Sequence, residues 1–299
     1  MTNAHRLALY TPSGVVLKAA PLKLAARRLE DLGYAVDVDE SALQKQQRFG
    51  GSDAVRLAAI HRVAEAAPSI AMATRGGYGL TRLLDQIDWK LIARSVENGT
   101  RWVGYSDLTA LQMGMLTHAK VPSWCGPMAV DDFGREVLDE ITPDCFGEAM
   151  SGELEAIGFK TAAGFDGLDV KGVLWGGNLT VLCSLLGTRH WPKVKGGVLF
   201  LEDVAEHPYR VERMLHQLNQ AGVLAAQKAV VLGAFSDWRK SPLDRGYDLK
   251  AAVASLRAVC DVPILTGLPF GHVPTKVTMP FGVKVELVVQ RRDVLLGWH

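Results

Sequence analysis

Apolar and polar positions along the first half of the chain follow a repeated strand–helix rhythm. Leu7 to Tyr10 reads as a strand, ended by Pro12-Ser13-Gly14. Leu22, Ala25, Leu29 and Leu32 then fall on one helical stripe, with Gly33 as the C-terminal stop. Ala35 to Val38 predicts a second strand, and Asp53 to Ala67 a helix carrying Val55, Ala59, Ile60 and Val63 inward. Ile70 to Ala73 is a third strand, and Leu80 to Ile87 is expected to begin the next helix. Trp102-Val103 is a fourth strand, followed by a helix from about Asp107 to His118. Short strands alternating with amphipathic helices predict an α/β fold with a parallel, helix-covered sheet.

The pattern changes near Pro127. Residues 131–150 read as a connecting helix and an acidic, glycine-punctuated stretch. Beyond Glu153 strands become more frequent: Glu153 to Phe159, Asp169 to Trp175, Val198 to Leu201, Val230 to Ala234, Ile264-Leu265 and Val283 to Val289. Among the helices between them, Pro208 to Ala221 is the clearest. It has proline in its first turn, Gly222 after its last, and Val211, Met214, Leu215 and Leu218 on its buried face. The expectation is an N-terminal α/β domain over 1–130, a linker over 131–165, and a mixed α+β domain over 166–299.

Composition narrows the function classes. Hydrophobic residues make up 48% and charged residues 22%, the balance of a soluble globular protein. Net charge is +1 with Lys and Arg scattered, so no electrostatic footprint for nucleic acid or an anionic membrane is present. Cys125, Cys145, Cys183 and Cys260 are far apart and match neither a zinc framework nor a small disulfide scaffold. The first residues lack the pattern of a signal peptide, and the longest uncharged run, Gly172 to Thr188, is too short and polar to span a bilayer. A reduced, cytoplasmic enzyme is the expectation. No H-E-x-x-H motif occurs, and no metal or other cofactor is implied.

Ligands of open parallel sheets bind beyond the carboxyl ends of the strands. Two loops sit there. Gly104-Tyr105-Ser106-Asp107 follows a strand and precedes a helix, the setting of a nucleophilic serine. It matches only the first half of G-x-S-x-G, since Leu108 stands at the second glycine. On these residues alone, a plain helix cap by Ser106 or Asp107 is the favoured reading. Arg75-Gly76-Gly77-Tyr78-Gly79 can present backbone N–H groups to an oxyanion, or serve as a tight turn needing positive φ. It fits neither a phosphate loop nor a dinucleotide fingerprint.

A serine nucleophile needs a base and a group that orients the base. His5 and His299 are terminal, and His61 and His216 fall within amphipathic helices. His272 lies instead in a loop stiffened by Pro269, Gly271 and Pro274. The apolar run Gly197 to Leu201 ends in Glu202, and a carboxylate at the mouth of a buried strand needs a partner.

Taken in order, these segments resemble the L,D-carboxypeptidases (muramoyltetrapeptide carboxypeptidases) of peptidase family S66. The likeness covers essentially the whole chain. It is carried by Arg75 to Gly79 with Arg82-Leu-Leu84 and Ile87-Asp-Trp89, and by Gly104 to Asp107. It continues through Leu174 to Leu179, Leu201 to Val204, Glu206 to Arg213, and Gly267 with Gly271-His272. The resemblance implies a Rossmann-like N-terminal domain with the nucleophile and a β-rich, barrel-like C-terminal domain with the acid and base. It implies Ser106 as nucleophile, Glu202 as acid and His272 as base, with oxyanion donors from the backbone N–H of Asp107 and of Gly76 or Gly77. It further implies a homodimer that removes the terminal D-alanine of a cytoplasmic murein tetrapeptide. Arg75 and Arg189 are candidates by charge for the substrate carboxylate, and Asn178 is a further candidate contact.

Overall fold

A computed structural model of the chain describes residues 5–298; His299 and the first residues read for a leader lie outside them. In chain order the strands are β1 (Arg6–Tyr10), β2 (Ala35–Val38), β3 (Ile70–Ala73), β4 (Arg101–Gly104), β5 (Ser123–Cys125), β6 (Ala156–Lys160), β7 (Asp169–Asn178), β8 (Val198–Val204), β9 (Ala229–Ser236), β10 (Ile264–Thr266), β11 (Met279–Phe281), β12 (Lys284–Gln290) and β13 (Asp293–Trp298). The helices are α1 (Ala19–Asp31), α2 (Asp53–Ala66), α3 (Trp89–Glu97), α4 (Leu108–Gly114), α5 (Ile141–Ser151), α6 (Leu179–Leu185), α7 (Pro208–Gln220) and α8 (Leu249–Arg257). The chain forms two compact units, Met1–Leu154 with Arg189–Pro192 and Pro274–Pro280, and Glu155–Thr188 with Lys193–Val273 and Phe281–His299.

In the first unit the sheet order is β11-β5-β4-β3-β1-β2, with parallel pairing from β2 through β5. The order reverses between β1 and β3, the switch point where loops part and ligands of such sheets sit. Leu7, Leu9, Ile70, Met72 and Val103 from the strands pack with Leu22, Ala25 and Leu29 of α1. Burying each such leucine contributes about 1.5–3 kcal/mol. Residues 131–154, expected within a connection, pack into this unit, because Phe133, Phe146, Ala149 and Met150 complete the same core.

The helix expected to begin within Leu80 to Ile87 is instead a single tight turn, Leu80–Arg82, and α3 starts at Trp89. Leu80, Leu83, Leu84 and Ile87 are all buried, so the stretch packs as an irregular apolar segment. Asp88 then opens α3 by accepting hydrogen bonds from the N–H groups of Lys90 and Leu91.

The second unit is a mixed sheet of order β10-β9-β8-β7-β12-β13-β6, parallel from β10 to β7 and antiparallel beyond. It curls so that its ends approach: the Thr266 N–H donates to Thr161 Oγ1 at 3.0 Å. Asp169 to Trp175 was the expected extent of β7, but the strand continues through Gly176 and Gly177 to Asn178. Gly176 has φ +136°, and a Cβ there would lie 1.9 Å from the Phe200 carbonyl oxygen, so only glycine lets β7 lie that close to β8. Two residues on, this pairing sets Asn178 directly beside Glu202.

Candidate active site

Within the first unit, β4 delivers Ser106 to the top of the sheet and α4 starts two residues later. Ser106 has φ +64°, the left-handed region that costs a non-glycine residue of order 1–3 kcal/mol. A strained serine between strand and helix is the geometry of a nucleophile elbow. Gly104 leaves room for the Leu108 side chain, since a Cβ there would meet Leu108 Cδ2 at 2.3 Å. Leu108, which stands at the second glycine of the motif, occupies the space beside the first.

The glycine loop lies against this elbow. A Cβ on Gly76 would fall 2.6 Å from both Cβ and Oγ of Ser106. Only a bare backbone fits there. The Gly14 N–H donates to the Gly76 carbonyl at 3.0 Å, and Gly77 and Gly79 have φ of +120° and +144°. Asp107 is buried, and its Oδ2 accepts from Ser13 Oγ at 2.6 Å and from the Leu80 N–H at 2.9 Å. Burial pushes the Asp107 carboxyl above the usual carboxylate range, against the pull of those two donors. Beneath the loop Arg56 is wholly buried and donates to the Pro12 carbonyl at 2.9 Å.

The second unit places the other two predicted groups together. His272 Nδ1 lies 2.7 Å from Oε2 of Glu202, which is fully buried while the imidazole stays partly open to solvent. An ionised carboxylate only accepts, so Nδ1 carries the proton and Nε2 holds a lone pair when the ring is neutral. The register between β8 and β9 shifts between Leu201 and Asp203, so that Glu202 faces two residues of β9, Gly233 and Ala234. Gly271 has φ +133°, and a Cβ there would stand 3.1 Å from Glu202 Oε2. The glycine lets the histidine loop close over the acid.

Asn178 Nδ2 donates to Glu202 Oε1 at 3.2 Å and to Asp203 Oδ1 at 2.9 Å, while its Oδ1 caps α6 by accepting from the Val181 N–H. Asp203 also accepts from the N–H and hydroxyl of Thr180. Burial drives the Asp203 carboxyl upward; the Thr180 and Val204 donors oppose that, and the charge of Glu202 adds to it.

The structure therefore brings Ser106, Asp107, Gly76 and Gly77 together in one unit, and Glu202, His272 and Asn178 in the other. Arg75 follows β3 at the head of the glycine loop and donates to the Val15 carbonyl at 3.2 Å. Arg189 is exposed and paired with Asp85 through Nε at 2.8 Å. Sequence reasoning missed Ser13, the side-chain role of Asp107 and the link from Asn178 to Glu202. The Pro12-Ser13-Gly14 break after β1 was the one signal for the first. Among the described residues no group of three His, Cys, Asp or Glu side chains has the arrangement to hold a metal ion.

The sequence profile of the LD-carboxypeptidase N-terminal domain matches residues 7–126, and that of the C-terminal domain matches residues 171–287. The crystal structure of a muramoyltetrapeptide carboxypeptidase from Oxalobacter formigenes superposes with a TM-score of 0.88 at 39% identity, covering 97% of this chain and 98% of that one. The murein tetrapeptide carboxypeptidase of Pseudomonas aeruginosa is 27% identical over 288 residues, 93% of this chain and 91% of the relative. The microcin C7 self-immunity protein MccF of Escherichia coli is 25% identical over 255 residues, 75% of this chain and 72% of the relative. With both domain profiles matched in order along most of its length, the chain belongs to the LD-carboxypeptidase family, peptidase family S66.

Proposed function

We propose that the protein is a serine-type L,D-carboxypeptidase that releases the terminal D-alanine of murein tetrapeptide during cytoplasmic peptidoglycan recycling. Ser106 is the nucleophile, His272 the base and Glu202 the group that orients it. The observation that carries the reading is the strained Ser106, at φ +64°, with a glycine backbone pressed against its Oγ.

In the first half-reaction neutral His272 takes the Ser106 proton at Nε2 as Oγ attacks the carbonyl of the L,D bond. The Asp107 N–H and one from Gly76 or Gly77 stabilise the tetrahedral oxyanion, each donor worth roughly 3–4 kcal/mol. His272 then protonates the leaving D-alanine amine, and an acyl-Ser106 ester remains. Water attacks that ester with His272 again as base, and the truncated peptide leaves with Ser106 restored. Glu202 holds the Nδ1–H tautomer and stabilises the imidazolium in both halves.

The free carboxylate of the departing residue is assigned to Arg75, which adjoins the glycine loop, in preference to Arg189, whose charge faces Asp85. Asn178 acts by holding Glu202 and not as a substrate contact. The family resemblance extends the proposal to a cytoplasmic homodimer. Among the described residues no helix is long and apolar enough to cross a membrane.

Mass spectrometry of the products from purified murein tetrapeptide tests the substrate. Free D-alanine and the matching tripeptide are expected. The likeness to the microcin C7 self-immunity protein favours a second reading, hydrolysis of another small acyl compound such as a peptidyl-nucleotide conjugate. Intact tetrapeptide alongside a cleaved conjugate would select that reading.

A further inference from the structure

The oxyanion donors proposed above belong to loops that follow different strands, so something must fix their spacing. Backbone N–H groups stabilise an oxyanion only when held about 2.7–3.1 Å from the place it will occupy. The Asp107 N–H follows β4, the Gly76 and Gly77 N–H groups follow β3, and Gly14, which bonds to Gly76, follows β1. One side-chain oxygen touches all three loops. Asp107 Oδ2 accepts from Ser13 in the β1 loop and from the Leu80 N–H at the end of the glycine loop, and it belongs to the elbow itself.

We infer that the Asp107 carboxylate is a positioning residue that clamps the β1 and β3 loops around Ser106 and thereby sets the geometry of the oxyanion hole. The inference rests on the proposed acyl-transfer role of Ser106. Several features agree with it. Asp107 is 1% exposed, so its carboxyl is shielded from bulk solvent. Burying a carboxylate is costly unless donors satisfy it, which makes the group a poor choice for mere filling. Gly76 is in contact with Ser106, so a shift of the glycine loop by a few tenths of an ångström moves its N–H groups relative to Oγ. The clamp acts at a distance of one residue from the nucleophile without touching substrate.

The test separates clamping from general structural support through the split between kcat and KM. In Asp107→Ala both loop contacts are lost. With the fold retained by circular dichroism, kcat should fall about a hundredfold, the cost of misplacing reacting or stabilising groups by about 1 Å, while KM changes less than about threefold. Asp107→Asn keeps an oxygen able to accept from Ser13 and Leu80, and should recover most of that loss. Ser13→Ala removes one of the donors to Asp107 with little change of volume and should lower kcat about tenfold with the same KM pattern. It carries the test alone if Asp107→Ala does not fold.

Full kcat in Ser13→Ala or in a folded Asp107→Ala, or a loss confined to KM, would overturn the clamp. So would Asp107→Asn being as inactive as the alanine variant. Failure of the underlying reading looks different: wild type itself would turn over without reacting at Ser106.

Discussion

Glu202 Oε2 and His272 Nδ1 stand 2.7 Å apart, with the carboxylate wholly buried and the imidazole partly exposed. The buried carboxylate fixes the orientation of the ring. Glu202→Gln keeps the volume but can turn an amide N–H toward Nδ1, which forces the other tautomer and removes the lone pair from Nε2. We expect kcat to fall by about a thousandfold or more, as when a triad carboxylate becomes an amide. A base of this kind must be neutral, so the wild-type rate should rise with pH as the imidazole loses its proton. Steady-state kinetics across pH check both. A Glu202→Gln enzyme within about tenfold of wild type, or a flat profile, would argue against a histidine base.

Asn178 holds two adjacent buried carboxylates and caps α6 with the same amide. Asn178→Ala leaves the carboxylates short of a donor and the helix short of a cap. The expected cost is about 2–4 kcal/mol of unfolding free energy, read from denaturant titration. A change within ~0.5 kcal/mol would place the real support of Glu202 elsewhere.

Burial raises the Asp203 carboxyl above its unfolded value. A group whose folded value is raised binds its proton more tightly in the native state. Its contribution is therefore fully present below the unfolded value, near ~3.9, and is lost as pH rises through the folded value. The difference in unfolding free energy between wild type and Asp203→Asn should thus fall as pH climbs from about 4, then level off. A difference that grows with pH over that window would contradict the assigned direction.

Much of this was legible in the sequence where one local pattern decides the outcome. Ile70 to Ala73 and Pro208 to the end of α7 form as their periodicity requires, and Leu22, Ala25 and Leu29 face the core. Where tertiary contacts decide, the pattern misleads. Leu80 to Ile87 carries helical spacing, yet its leucines are buried around the turn that also delivers the Leu80 N–H to Asp107.

In the candidate site, the strand-to-helix loop drew attention to Ser106 and the end of an apolar run to Glu202, which β8 carries on past to Val204. The register shift opposite Glu202, and the extension of β7 through Gly176 and Gly177, depend on a neighbouring strand and leave no local mark. Ser13 was visible only as part of a turn, because its partner lies 94 residues away.

The strain at Ser106 predicts a trade between stability and function. Glycine adopts φ +64° freely whereas alanine does not, so Ser106→Gly should be more stable than Ser106→Ala by about 1 kcal/mol, with both inactive. Thermal unfolding of the two variants measures it. Equal stability would mean that the elbow is not held against a backbone preference.

The central claim is that Ser106 Oγ forms a bond to the acyl carbon. Intact-protein mass spectrometry after treatment with a fluorophosphonate, followed by peptide mapping, tests it most directly. The account predicts a single adduct on Ser106 in step with loss of tetrapeptide hydrolysis, and none in Ser106→Ala. Unmodified protein that has full activity, or hydrolysis retained by Ser106→Ala, would contradict it.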